Sequence, residues 1–120
     1  MIYGVGTDLC SVERVLRAAE SEHFLSRVFT EDELRDSAGH PEHLAACFAA
    51  KEACVKAFRT GFSGGLAPQD VELLHGEKGA PVLRFHGKAA ELFAELGLGA
   101  AHVSLSHEAG LAIAFVVLES

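Results

Sequence analysis

The feature that most constrains this sequence is an apolar stretch of helical length that carries three charges. Residues Leu44–Phe58 read L-A-A-C-F-A-A-K-E-A-C-V-K-A-F, and only Lys51, Glu52 and Lys56 interrupt their apolar character. A helix that is apolar on all sides belongs inside a protein, where an unpaired charge costs several kcal/mol. Glu52 and Lys56 share one stripe, whereas Lys51 points about 100° away around the axis. The sequence therefore predicts a buried helix whose charges meet an ion, a ligand or each other, with a simple Glu52–Lys56 helix pair as the alternative.

Composition limits the class of protein. The chain has 120 residues, is 49% hydrophobic and carries a net charge of −7. These values suit one domain over residues 1–120 and argue against nucleic-acid binding, which needs a basic surface. The cysteines, Cys10, Cys47 and Cys54, lack C-x-x-C spacing, so neither a disulfide framework nor a zinc site is indicated. With no signal-peptide pattern and no membrane-spanning stretch, we expect a cytoplasmic protein that does not bind a membrane.

The first half of the chain is predicted to be one strand followed by helices. Gly4 and Gly6 punctuate a small-residue, β-branched run, which favours a buried strand that another element approaches closely. Thr30 and Glu33 have the spacing of a capping box. The predicted elements are a strand over Ile2–Cys10, a helix from Ser11 to about Ala19, a short helix from Thr30 to about Ser37, and the long helix from Pro41 or Glu42 to Arg59.

The second half is predicted to be mainly β. A glycine-rich loop over 60–65 follows the long helix, and two hairpins are separated by a short helix over Ala89–Leu96. The predicted strands are Val71–Leu74, Val82–Phe85, the segment H-V-S-L-S-H, and the carboxyl-terminal L-A-I-A-F-V-V-L, which is apolar enough to be central in a sheet. We expect an α+β fold, with an antiparallel sheet packed against the long central helix.

Three short patterns stand in a distinctive order. They are Gly4-Val5-Gly6-Thr7-Asp8, Phe48-Ala49-Ala50-Lys51-Glu52-Ala53 with Lys56, and Ser104-Leu105-Ser106-His107. Together they resemble the holo-acyl-carrier-protein synthase family of 4′-phosphopantetheinyl transferases over the whole chain. The F-x-x-K-E-x-x-x-K core is the specific part. The segment Phe29-Thr30-Glu31-Asp32-Glu33-Leu34 is similar to the F-T-x-x-E segment of that family.

The resemblance implies transfer of the phosphopantetheine arm of coenzyme A to a serine hydroxyl of an acyl carrier protein, in fatty-acid or polyketide synthesis. Such transfers depend on positioning and on neutralising phosphate charge. By family match, Asp8 and Glu52 are the carboxylates that bind Mg²⁺, which prefers oxygen ligands. Either carboxylate, acting through a water on the ion, could accept the serine proton.

Other site residues follow from the same resemblance. Lys56 matches an active-site lysine that meets a phosphate or the leaving group, and Lys51 is a candidate for a different phosphate or for a structural contact. His107 matches a histidine near the coenzyme A phosphates. Backbone N–H groups of the glycine-rich loop are candidates to bind the 3′-phosphate. The loop residues proposed for this role are Gly61, Ser63, Gly64 and Gly65.

The resemblance also implies two protein interfaces. Arg14 and Arg17 fall on the first helix, where the family presents a basic face to the acidic carrier protein, and Arg27 extends this patch. A simple solvated helix face is the alternative. Family members of this length generally form trimers with the site at the subunit boundary, so we expect a homotrimer.

The sequence departs from the family at two positions. Cys47 replaces the usual arginine of R-F-A-A-K-E, which leaves one cation to be supplied from elsewhere, for example by Arg59, Lys78 or Arg84. After Lys56 the family often has A-L-G-T-G, whereas this chain places Arg59 at the first glycine. We expect Cys47 to be an inert core thiol.

Alternatives of other classes remain open. A non-catalytic module with the same fold, which binds the carrier but has lost transfer, is supported only by Cys47. A metal-binding protein built on the seven histidines lacks ligand spacing, and its nearest pair, His40 and His43, flanks a helix start. A domain fused to a large synthase is a further possibility, although the initial methionine and the lack of a linker favour a free-standing enzyme.

Overall fold

The long helix lies at the centre of the molecule. In the computed structural model, which describes residues 1–120, helix α4 spans Pro41–Phe58. It begins with proline in the first turn, where no N–H partner is needed, and ends at Arg59 in the left-handed conformation. A three-stranded sheet packs against it, and so do helices α1 (Val12–Ala18) and α3 (Glu31–Asp36) and strand β2 (Val71–His75). The prediction of a buried central helix is therefore confirmed.

The three-stranded sheet is antiparallel and joins both ends of the chain. It is formed by β1 (Ile2–Ser11), β4 (Ala100–Glu108) and β5 (Leu111–Glu119), in the order β1-β5-β4. The carboxyl-terminal strand is central, as its apolar sequence predicts. The tight β4–β5 turn places Ala109 and Gly110 at positive φ, as a two-residue hairpin requires.

Two glycines bring β1 directly against α4. A Cβ atom at Gly4 would collide with the carbonyl oxygen of Ala57, and one at Gly6 would collide with that of Ala53. Two residues along a strand cover about 6.6 Å, and four residues along a helix cover about 6 Å. The spacing from Gly4 to Gly6 therefore matches the spacing from Ala57 to Ala53. The predicted close approach to β1 is confirmed, and it sets the level at which Asp8 meets the helix.

The remaining elements cover the other sides of α4. A separate two-stranded sheet is formed by β2 (Val71–His75) and β3 (Pro81–Phe85), so the fold has two antiparallel sheets where one was expected. The short helices are α1 (Val12–Ala18), α2 (Glu22–Val28), α3 (Glu31–Asp36) and α5 (Gly87–Glu95). The capping box of Thr30 and Glu33 is present. Helix α2, capped by Ser21, was not predicted.

The two faces of the three-stranded sheet differ sharply. On β5 the even-numbered residues from Ala112 to Leu118 are buried against the helix, whereas Leu111, Ile113 and Phe115 are exposed. Val5 and Leu9 of β1 extend the same outer face. The outer face is thus a broad apolar surface that this chain alone does not cover. No helix has the length and apolar character needed to cross a membrane.

Candidate active site

Asp8 and Lys56 form the centre of the site. The Lys56 ammonium donates hydrogen bonds to Asp8 Oδ1 at 3.1 Å and to the carbonyl oxygen of Thr7 at 3.0 Å. A lysine ammonium has three N–H donors, so one donor of Lys56 remains available. The Lys56 side chain is 54% exposed, and that of Asp8 is 19% exposed. Lys56 therefore keeps both a free donor and access to solvent. It does not form the simple surface pair with Glu52 that the helix spacing allowed.

Glu52 completes a pair of carboxylates. It lines one cleft of about 370 Å³ together with Asp8 and Arg14, and Phe24 and Phe48 form apolar walls. Burial raises the pKa of Glu52, the negative charge of Asp8 raises it further, and Lys56 opposes both effects. Two carboxylates in one cleft, with a cation beside them, offer the oxygen donor set that Mg²⁺ prefers. The residues present fit the predicted magnesium site.

Lys51 lies outside this cleft. Its side chain is 1% exposed, and its ammonium donates to Glu33 Oε1 at 2.8 Å and to the carbonyl oxygens of Pro68 at 3.0 Å and Val71 at 2.6 Å. All three of its donors are used. Of the two roles left open by the sequence, the structure favours the structural contact. We therefore correct the assignment of Lys51 as a phosphate-binding residue.

Glu33 is buried and fully hydrogen-bonded. Beyond its ion pair with Lys51, Oε1 accepts from the backbone N–H of Thr30 at 3.0 Å, and Oε2 accepts from that of Leu73 at 2.8 Å. The pair thus joins α3, α4 and β2. The sequence identified Glu33 as a capping residue and as part of the F-T-x-x-E segment, but not as the partner of Lys51, because nothing local indicates a partner 18 residues away.

His107 lies on the opposite side of α4 from the carboxylates. Asp8 belongs to the edge strand β1, and His107 belongs to the other edge strand β4, with β5 between them. His107 lines a second open cleft of about 640 Å³, which also contains Asp36, His43 and His75. Within one chain, the structure therefore does not bring His107 to Asp8 and Glu52.

The glycine-rich loop follows α4 and lines neither cleft. Gly61, Gly64 and Gly65 adopt positive φ, and the Ser63 hydroxyl donates to the carbonyl oxygen of Thr60 at 2.6 Å. The N–H groups of Gly64 and Gly65 make no hydrogen bond to other backbone groups. These N–H groups are consistent with an anion site, which stays a prediction.

The three predicted carrier-binding arginines are exposed but differ in their contacts. Arg14 lines the cleft of Asp8 and Glu52. Arg17 pairs with Glu13 at 2.6 Å, so part of its charge is already neutralised. Arg27 lies in the last turn of α2 and lines neither cleft. Of the three, Arg14 is the best placed to act at the site.

Cys47 is a core residue and not part of the carboxylate cleft. It is fully buried, with its Sγ 3.9 Å from the carbonyl oxygen of Leu73 and 3.6 Å from His43 Nε2. Burial raises the pKa of the thiol to about 12. The predicted inert thiol is confirmed. None of the three cations suggested as substitutes for the family arginine lines either cleft, namely Arg59, Lys78 and Arg84.

Several site groups were not identified from the sequence. The Thr7 carbonyl oxygen that binds Lys56 has no sequence signal, because any residue carries one. Phe24 belongs to the helix that was missed. Phe48 has a functional signal in the sequence only as part of the F-x-x-K-E pattern. Phe24 and Phe48 share one signal, the apolar spacing of their helices, which indicates packing but does not indicate a cleft.

Comparisons with known proteins identify the family and the fold. A model of the 4′-phosphopantetheinyl transferase superfamily matches residues 4–116. A holo-[acyl-carrier-protein] synthase from Halorhodospira halophila is 46% identical, with 98% of each chain covered. The structure of one from Neisseria meningitidis superposes with a TM-score of 0.90 at 33% identity, with 100% of each chain covered. One from Helicobacter pylori, solved in complex with coenzyme A, superposes with a TM-score of 0.86 at 29% identity, covering 96% of this chain and 99% of that one. The carboxylate cleft is thus set in a fold shared along almost the whole sequence, and the chain belongs to the 4′-phosphopantetheinyl transferase superfamily.

Proposed function

We propose that this chain transfers the 4′-phosphopantetheine group of coenzyme A to a serine of an apo acyl carrier protein, and that Asp8, Glu52 and Lys56 carry the reaction. The products are the holo carrier protein and adenosine 3′,5′-bisphosphate. The observation that supports these roles is that two carboxylates line one cleft, and that a lysine with a free donor is hydrogen-bonded to one of them. Membership of the superfamily supplies the reaction class.

The residues divide the work by charge. Asp8 and Glu52 hold Mg²⁺, which offsets the negative charge of the pyrophosphate when it is bound. Lys56 is anchored by Asp8 and the Thr7 carbonyl oxygen, so that its remaining N–H can donate to a phosphoryl oxygen or to the leaving group. Arg14, which lines the cleft, attracts the acidic carrier protein and guides its serine toward the phosphate.

We further propose that the functional unit is a homotrimer. Val5, Leu9, Ile113 and Phe115 are between 40% and 59% exposed on one sheet face, which favours burial by another copy. A site at the boundary between copies would bring His107 of the partner subunit toward Asp8 and Glu52, which a single chain keeps apart. Coenzyme A would then contact both subunits.

The trimer can be tested with a matched pair of variants. Phe115→Asp places a charge on the outer sheet face, and Val82→Asp places one on β3; the native side chains are 46% and 44% exposed. Light scattering after size exclusion should show a trimer for the wild type and for Val82→Asp, and a smaller species with reduced transfer for Phe115→Asp. A trimer that survives Phe115→Asp places the interface elsewhere.

The location of the protein follows as a further proposal. Cys10, Cys47 and Cys54 are all unpaired. Unpaired thiols suit a reducing compartment, and the substrates of this reaction are intracellular, so we place the protein in the cytoplasm.

The deciding experiment is the mass of an apo acyl carrier protein after incubation with this protein, coenzyme A and Mg²⁺. One added phosphopantetheine is expected, and EDTA should abolish the gain. Asp8→Asn should lose transfer, whereas the control Asp32→Asn, which breaks a surface pair with Arg35 outside the cleft, should retain it. A folded protein that modifies none of several carriers would instead support a binding module without transfer activity.

A further inference from the structure

Three side chains from three different elements converge in the cleft on the His107 side of α4. Asp36 ends α3, His43 lies in the first turn of α4, and His75 ends β2. One possible ligand atom from each lies within 4.8 Å of those from the other two. The proposed transfer reaction assigns no role to any of them.

Tertiary contacts hold this cluster in place. Asp36 Oδ2 lies 3.0 Å from His75 Nδ1 and accepts from the His75 backbone N–H at 3.3 Å. The ring centroids of His43 and His75 lie 4.2 Å apart, and the Sγ atom of the buried Cys47 lies 3.6 Å from His43 Nε2. A hydrogen bond between Asp36 and His75 explains two of the three positions but gives no reason for the second imidazole.

The donor set selects a class of ion. Two imidazoles and one carboxylate suit Zn²⁺ and related transition metals, whereas Mg²⁺ prefers oxygen ligands alone. The cleft is open to solvent, so water or a small ligand can occupy the remaining coordination positions. The 32-residue separation of the two histidines conceals this pair in the sequence, because only closely spaced ligands form a recognisable metal-binding pattern.

We propose that Asp36, His43 and His75 bind a divalent transition-metal ion of the zinc class, at a site separate from the magnesium carboxylates. His75 and Asp36 supply a preformed carboxylate–imidazole edge, and His43 adds the third ligand from the helix. Binding ties α3, α4 and β2 together and should stabilise the fold, because the unfolded chain cannot present the three groups together.

Cobalt(II) titration of the full chain, followed by visible absorption, tests this site. Excess Mg²⁺ is included to occupy Asp8 and Glu52. We expect saturable ligand-field bands with one Co²⁺ per chain, competed by Zn²⁺. His43→Ala and His75→Ala should each weaken binding by about tenfold or more. Asp36→Asn, on a side chain exposed to solvent, is a third variant that tests the site without disturbing the core.

A matched control is available at the other end of β4, the strand that carries His107. His102 Nε2 lies 2.6 Å from Glu119 Oε1, which gives a histidine–carboxylate pair without a second imidazole. His102→Ala and Asp8→Asn should leave the Co²⁺ affinity unchanged. Zn²⁺ should raise the Tm of the wild type and His102→Ala, and should have no such effect on His43→Ala.

Two results would overturn the proposal. One is the absence of ligand-field bands in the wild type, and the other is equal affinity in His43→Ala, His75→Ala and His102→Ala. The titration contains neither coenzyme A nor a carrier protein. A failure here therefore does not bear on transfer activity, and a failure of transfer does not bear on this site.

Discussion

Lys51 and Lys56 lie five residues apart on one helix, yet the fold uses them in opposite ways. Lys51 is 1% exposed and donates to three acceptors, whereas Lys56 is 54% exposed and donates to two. The first ammonium has no donor left for a ligand, and the second has one. Free donors and solvent access, more than the presence of a charge on an apolar helix, distinguish the structural lysine from the lysine that we propose acts in the reaction.

The largest expected effect is the loss of the buried charge. Lys51→Met leaves the Glu33 carboxylate buried without its counter-charge, and removing one member of a buried pair costs about 3–5 kcal/mol. Urea unfolding should show this decrease in the free energy of unfolding, and the surviving folded fraction should keep a normal Michaelis constant for coenzyme A. The control is Lys56→Met, the same substitution on the same helix, which should change stability by about 1 kcal/mol or less.

A double variant sharpens the result. Glu33→Gln added to Lys51→Met removes the stranded charge and still offers an acceptor to the Thr30 or Leu73 backbone. The double variant should recover part of the lost stability. A loss below about 1 kcal/mol in Lys51→Met would show that the pair does not stabilise the fold.

Lys56, the lysine that we propose acts in the reaction, should show the reverse pattern. Lys56→Met removes the donor proposed to act on the phosphoryl oxygen, and loss of one such donor costs about 10²–10³ in rate. Carrier-mass assays at saturating Mg²⁺ should show the decrease in kcat with the fold intact. A rate near the wild-type value would limit Lys56 to positioning Asp8.

The two lysines also show which features of the site could be predicted from the sequence and which could not. Helix geometry predicted that Lys51 and Lys56 face different directions, and the family pattern predicted that Asp8, Glu52 and Lys56 belong together. The sequence could not identify Glu33 as the partner of Lys51, because Glu33 lies on another helix and only the folded chain brings the two residues together. Long-range pairs of this kind leave no local periodicity.

The elements themselves followed local signals. The long helix, the capping box and both hairpins were predicted because caps, turn residues and apolar runs are local. Helix α2 was missed because its seven residues are too few to establish a period, and its serine cap is a weak signal alone. The clustering of Asp36, His43 and His75 was missed because three separate elements supply it.

Carboxylates near the two lysines should respond to pH in opposite directions. Burial and Asp8 raise the pKa of Glu52, so the folded protein binds this proton more tightly than the unfolded chain does. Burial would raise the pKa of Glu72 too, but hydrogen bonds from Thr30 and His86 outweigh burial and lower it. Glu52 therefore stabilises the fold only at low pH, and this contribution is lost as the pH rises through its folded pKa. The contribution of Glu72 is present above its ordinary value of 4.5 and is lost as the pH falls through its folded pKa.

Glutamine variants separate these effects. Without divalent ions at neutral pH, Glu52→Gln should be more stable than the wild type and Glu72→Gln less stable. The difference in stability between each variant and the wild type should become smaller when urea unfolding is repeated at decreasing pH. For Glu72→Gln this decrease should occur only below pH 4.5. Stability differences of the same sign for both variants at neutral pH would contradict the assigned directions. A gain in stability with loss of transfer in Glu52→Gln would show that the site retains a strained carboxylate for its chemistry.

The smallest expected effect concerns the end of the helix that carries both lysines. Arg59 adopts φ 69°, which costs most residues about 1 kcal/mol and costs glycine little, and the family often has glycine there. Its guanidinium compensates by donating to the Tyr3 carbonyl oxygen at 2.5 Å and by lying 4.7 Å from the Tyr3 ring centroid. Arg59→Ala loses these contacts and keeps the strain, whereas Arg59→Gly loses the contacts and the strain together. In urea unfolding, the free energy of unfolding of Arg59→Gly should be higher than that of Arg59→Ala by about 1 kcal/mol. The value for the wild type should be close to that of Arg59→Gly. If Arg59→Ala and Arg59→Gly are equally stable, the left-handed conformation is not retained in the variants, and the Tyr3 contacts alone determine how α4 ends.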